Sequence, residues 1–89
     1  MMHTEQWSVT IDIAEHDTET RASARLNTRD ATVLAGNGVA HRHPRDRDVP
    51  EIGAELAVAR ALGDLQHRLL DATIADIEQA TGVPSHLSG

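Results

Sequence analysis

The sequence predicts an α+β domain, a three-stranded antiparallel meander followed by one long C-terminal helix (β-β-β-α). Two features predict it. Apolar residues recur close to every second position from Trp7 to Ala40, and with helical spacing from Pro50 to Gly82. The connections within the first half are short and polar, which favours hairpins between consecutive strands.

Trp7, Val9, Ile11 and Ile13 alternate with Ser8, Thr10 and Asp12, the pattern of a half-buried first strand with Trp7 as its large core or interface anchor. Glu15-His16-Asp17-Thr18 forms the turn. Ala22, Ala24 and Leu26 then alternate with Arg21, Ser23 and Arg25, a second strand with small inward residues. Asn27-Thr28-Arg29-Asp30 suits a tight turn. Ala31 to Ala40 reads as a third strand, in which Gly36 and Gly38 point to one face and permit close approach by a helix or a bulge. Gly36-Asn37-Gly38 is no phosphate loop, because neither a glycine at the fingerprint spacing nor a Lys-Ser/Thr pair follows it.

The helix is punctuated at both ends. Asp48 and Glu51 are spaced as a capping box, with Pro50 in the first turn. Gly82 suits a left-handed cap, and Pro84 forbids continuation. A straight helix over this span is ~50 Å long at 1.5 Å per residue, more than so small a domain is wide. It therefore projects onto a partner or bends at Gly63; a break into two helices near Gly63–Asp71 (α-α) is the alternative. Its apolar residues, Ile52, Leu56, Val58, Leu62 and Leu65, continue through Leu69, Leu70, Ile74 and Ile77. They cover about half the circumference, wider than the ~100° needed to pack on one sheet. Such a helix touches two surfaces, its own sheet and a partner's.

Eighty-nine residues make a single domain spanning 1–89, with 1–5 and 85–89 expected to fray. The absence of Cys excludes a disulfide scaffold, a thiol nucleophile and thiolate metal centres. No apolar run is long enough to span a membrane and no signal-peptide core is present, so a soluble, cytoplasmic protein without a membrane role is expected. The hydrophobic fraction is 39%, thirteen residues are Ala, and Trp7 is the sole aromatic. A buried Ala contributes far less than the ~1.5–3 kcal/mol of a buried Leu or Ile. So thin a core in so short a chain favours association, most simply a two-fold homodimer.

All eight basic residues are Arg, and the formal charge is −6, the wrong sign for a general polyanion binder. The connector His41-Arg42-His43-Pro44-Arg45-Asp46-Arg47-Asp48 is nonetheless locally positive. His41 and His43 with Asp46 or Asp48 could be read as metal ligands, and His43 with Asp46 as an acid–base pair. Their spacing is unspecific, neighbouring arginines repel a cation, and no serine lies in a nucleophile context, so no metal, cofactor, catalytic residue or small-molecule substrate is assigned. Arg42, Arg45 and Arg47, joined by Arg21 and Arg25 on one strand face, form the candidate nucleic-acid contact. The absence of stacking aromatics and the net charge oppose it.

These residues resemble a family of small uncharacterised proteins from high-GC bacteria, a domain of unknown function. The resemblance runs from Trp7-Ser8-Val9 through Thr20-Arg21-Ala22 and Gly36, Gly38, Ala40 and Pro44. It continues through Asp46-Arg47-Asp48-Val49-Pro50-Glu51-Ile52-Gly53 to Ala59-Arg60-Ala61-Leu62. It implies a fold similar to the double-stranded-RNA-binding domain, a likeness to ribosome hibernation-promoting factors completed by dimerisation, and a stress or dormancy setting. The Lys-rich cluster and the first helix of duplex-RNA-binding domains have no counterpart here, where Pro50-Glu51-Ile52-Gly53 opens the last helix and no Lys is present. The expected function is a non-enzymatic binding or regulatory module contacting the ribosome or structured RNA; the alternative is a dimeric protein-interaction module without a nucleic-acid role.

Overall fold

The computed structural model describes residues 2–42 and 50–82. Three strands, β1 (Ser8–His16), β2 (Glu19–Asn27) and β3 (Thr32–His41), precede one helix, α1 (Pro50–Thr81). The sheet is antiparallel in the order β1-β2-β3. This is the expected β-β-β-α layout, with a helix uninterrupted through Gly63–Asp71. A two-helix arrangement is not adopted.

Short turns fix the register. His16 pairs with Glu19 across Asp17-Thr18, and Asp17 takes a left-handed φ of 53°. Aspartate tolerates that region because its short polar side chain can bond locally. The second turn closes with the Thr28 amide donating to the Ala31 carbonyl at 2.9 Å. At the far end of α1, Gly82 has a φ of 71° and donates its amide to Glu78, the cap its position predicts. Asp48 and Pro84, the other expected helix signals, lie outside the described residues.

The core is small in membership and in side chains. Ala22, Ala24 and Leu26 from β2 and Ala40 from β3 meet Ala57, Ala61 and Leu65 from α1, flanked by Leu34 and Val58. Gly36 and Gly38 explain why the helix contributes alanines. A methyl group on Gly38 would collide with the backbone of Ala57 and Ala61, and one on Gly36 with the backbone of Ala61 and Leu65. Helix and strand backbones are in direct contact, and only small residues fit between them.

That contact draws the helix over β3 and β2 and away from β1. Two hydrogen bonds hold it there: Arg60 Nη1 donates to the Val39 carbonyl at 2.7 Å, and the Asn37 amide donates to Asp64 Oδ2 at 2.8 Å. Both backbone groups belong to the β3 edge turned away from β2. Two expectations are corrected here: β1 is exposed along its whole length, and Trp7, at 49% exposure, is no core residue. Strand alternation identifies the inward face, but it cannot tell which strands one helix is wide enough to cover.

The helix also outruns the sheet. The longest dimension is 53 Å against 29 and 19 Å across, whereas strands of this length span about 30 Å. The fully buried helix positions end at Leu65, and the last turns of α1 extend past the sheet.

Candidate interaction surfaces

Two faces of the sheet offer different chemistry. The face opposite the helix carries Ser8, Thr10 and Asp12 of β1, Arg21, Ser23, Arg25 and Asn27 of β2, and Asn37 of β3, as the pairing register requires. It is knitted by side chains. Asn27 donates to Thr10 at 2.8 Å and accepts from Thr32 at 2.7 Å. A shallow open depression of about 280 Å³ lies among Asp12, Arg21, Ser23, Asn37 and Val39.

Of the arginines expected to meet phosphate, Arg21 and Arg25 are engaged in ion pairs. Arg25 Nη2 lies 2.9 Å from Asp12 Oδ2, and Arg21 Nη2 lies 2.7 Å from Glu19 Oε1. Each cation therefore carries its own counter-charge, and the pair offers no net positive field. Arg42 follows β3, its amide donating to the Thr18 carbonyl at 2.7 Å. Arg45 and Arg47 lie outside the described residues, as do His43 and Asp46. The sheet thus groups Arg21 with Arg25 but converts both into local ion pairs. No cluster of three or more metal-ligating side chains occurs among the described residues, and no described helix is long and apolar enough to cross a membrane.

The helix-side face is apolar and only partly covered. Val9, Ile11 and Ile13 pair with Leu26, Ala24 and Ala22, so all six side chains share one face. The β2 members are buried under α1, whereas Val9, Ile11 and Ile13 are exposed, Ile13 to 48%. Of the helix residues expected to form the core or dimer face, only Leu65 is buried and Val58 packs at its margin. Leu70, Ile74 and Ile77 are half-buried. Ile52, Leu56, Leu62 and Leu69 are exposed, Ile52 to 61%. The expected stripe therefore lies mostly off the chain's own core.

Four residues with structural roles escaped the sequence reading. Ala57 and Ala61 make the closest helix–sheet contact, and a clue was their i, i+4 spacing together with the Gly36/Gly38 pair. Arg60 and Asp64 secure the β3 edge, and Asp64 also accepts from Arg68 Nε at 3.1 Å. The bonds from the Asn37 amide and from Arg68 hold the Asp64 carboxyl below its ordinary pKa of 3.8, with their lowering outweighing desolvation.

This architecture is shared. Residues 5–86 match the Rv2632c-like family model. The chain belongs to the Rv2632c-like family. Uncharacterized protein Mb1767 of Mycobacterium bovis is 51% identical over 83 residues, covering 93% of this chain and 87% of the relative. Uncharacterized protein Rv2632c of Mycobacterium tuberculosis is 47% identical over 72 residues, covering 81% and 76%. The crystal structure of Rv2632c superposes with a TM-score of 0.82 at 41% identity, covering 93% of this chain and 98% of that one. The Rv2632c-like fold therefore extends over nearly the whole chain.

Proposed function

We propose that this Rv2632c-like protein is a non-enzymatic protein-interaction module that works as a homodimer. One observation carries the reading: the helix covers two of three strands and leaves apolar rows exposed on β1 and on its own outer side. Exposed apolar patches of this extent mark association surfaces. The ion pairs of Arg21 and Arg25 favour this reading over contact with ribosomal or structured RNA, because Glu19 and Asp12 offset the positive field that a phosphate would meet there.

Light scattering combined with RNA binding tests it. At micromolar concentration the expected mass is twice 9.6 kDa, unchanged by molar salt because the contact is apolar. Fluorescence anisotropy with a labelled RNA hairpin is expected to show no binding at low salt. A folded monomer rejects the dimer; hairpin binding that weakens steeply with salt rejects the protein-interaction reading.

A further inference from the structure

We propose that two copies interlock, α1 of each lying across β1 of the other, to form a three-layer sandwich of sheet, two parallel helices and sheet. This rests on the dimeric reading above and adds the surface and the geometry.

The first support is a level relationship. Gly36, Ala24 and Ile11 form one rung across the sheet, and Gly38, Ala22 and Ile13 form the next. Gly36 abuts Ala61 and Leu65, while Gly38 abuts Ala57 and Ala61. The midpoint of an i, i+4 pair is residue i+2, turned ~200° to the far side of the helix. Gly63 therefore stands at the Ile11 level on the outer face, and Ala59 at the Ile13 level. A two-fold axis parallel to the helix preserves levels, so the second copy's Ile11 and Ile13 meet Gly63 and Ala59. Large strand residues enter the space left by small helix residues, the converse of the chain's own contact of strand glycines with helix alanines.

The second support is Gly63 itself. A glycine inside a helix costs ~1 kcal/mol relative to alanine. Within the chain nothing requires it, because an added methyl would meet open space. An isoleucine arriving from a partner strand supplies the missing reason.

Lateral dimensions agree. Arg60 and Asp64 turn one flank of α1 to the β3 edge, so Val58, Leu62 and Leu69 lie on the flank toward β1. Paired helices stand ~8–10 Å apart, about two strand spacings of ~4.8 Å. A second helix beside the first therefore lies over β1, with Leu62 and Leu69 of both copies near the axis. The row from Trp7 to Ile13 with Ile52, Leu56, Leu62 and Leu69 exposes on the order of 600 Å² per copy, near the apolar share of a standard interface of ~800 Å² per partner.

Cysteine pairing tests the geometry, helped by the chain's lack of native Cys. Neither Ile11→Cys nor Gly63→Cys disturbs the buried core. Under mild oxidation, the mixed variants are expected to give a disulfide-linked dimer, and neither variant alone should do so. Linkage of Ile11→Cys to itself indicates edge-to-edge strand pairing, and linkage of Gly63→Cys to itself indicates helices packed back to back. Either result, or no linkage in a protein that light scattering finds dimeric, overturns the interlocked arrangement while the dimeric reading stands. A monomeric unmodified protein removes both. In a parallel measurement, Ile13→Lys is expected to weaken dimerisation at least tenfold by burying an unpaired ammonium, with helical circular dichroism retained. Unchanged affinity overturns the arrangement.

Discussion

Gly38 of β3 lies directly against the Ala57 carbonyl of α1, leaving no room for a side chain between strand and helix. This contact decides which strands the helix covers, and so which apolar residues stay uncovered.

Gly38→Ala is therefore expected to cost about 3 kcal/mol or more, because the clash is with backbone and no rotamer relieves it. Urea denaturation with a circular dichroism readout measures this. A loss under 1 kcal/mol would show that the helix shifts freely on the sheet.

Leu65 is the largest helix side chain in the core, at 5% exposure. Leu65→Ala removes its contacts with a core otherwise built largely of alanine and is expected to cost about 2–5 kcal/mol. That is a large share of the stability of so small a domain, so a sharply lowered thermal midpoint is the expected result. An unchanged midpoint would place the stabilising contacts elsewhere.

Asp64 makes stability depend on acid. Its folded pKa lies below the ordinary 3.8, so its contribution is present above the unfolded value and lost as pH falls through the folded one. Thermal melts between about pH 5 and pH 2 are expected to decline less steeply for Asp64→Asn than for the unmodified chain, since the amide does not titrate. Parallel declines would show that other carboxylates carry the acid sensitivity.

Arg25 tests the outer face of the sheet. Its pair with Asp12 is solvent-exposed, and such pairs contribute ~0–1 kcal/mol. Its Nε is buried without a hydrogen-bond partner, a comparable cost. Arg25→Met removes both and is expected to change stability by less than about 1 kcal/mol. Under the interaction reading it also leaves the dimer mass unchanged.

Periodicity made the layout readable because strand and helix differ in repeat, and the polar turns lie where the pattern breaks. Gly36 and Gly38 were legible as a point of close approach for the same reason: same-face glycines offer a bare backbone. What periodicity could not provide was lateral position. Val9, Ile11 and Ile13 alternate as regularly as Ala22, Ala24 and Leu26, yet only the second set lies under the helix. That difference follows from Ala57, Ala61, Arg60 and Asp64, whose pairing with β3 is a tertiary fact. The arginine surface was half legible: Arg21 and Arg25 do share a face, but Glu19 and Asp12 reach them only across local geometry that a linear reading does not weigh.

The helix side chains that occupy the outer backbone of β3 also give the sheet a polarity of growth. Added strands, whether in a fibre or a misassembled aggregate, would find Val39 and Asn37 already engaged at that border. Strand addition is thus confined to the border nearest the N-terminus, where pairing with the like border of a second copy stops, and loosening Arg60 or Asp64 would open the second border that runaway polymerisation requires.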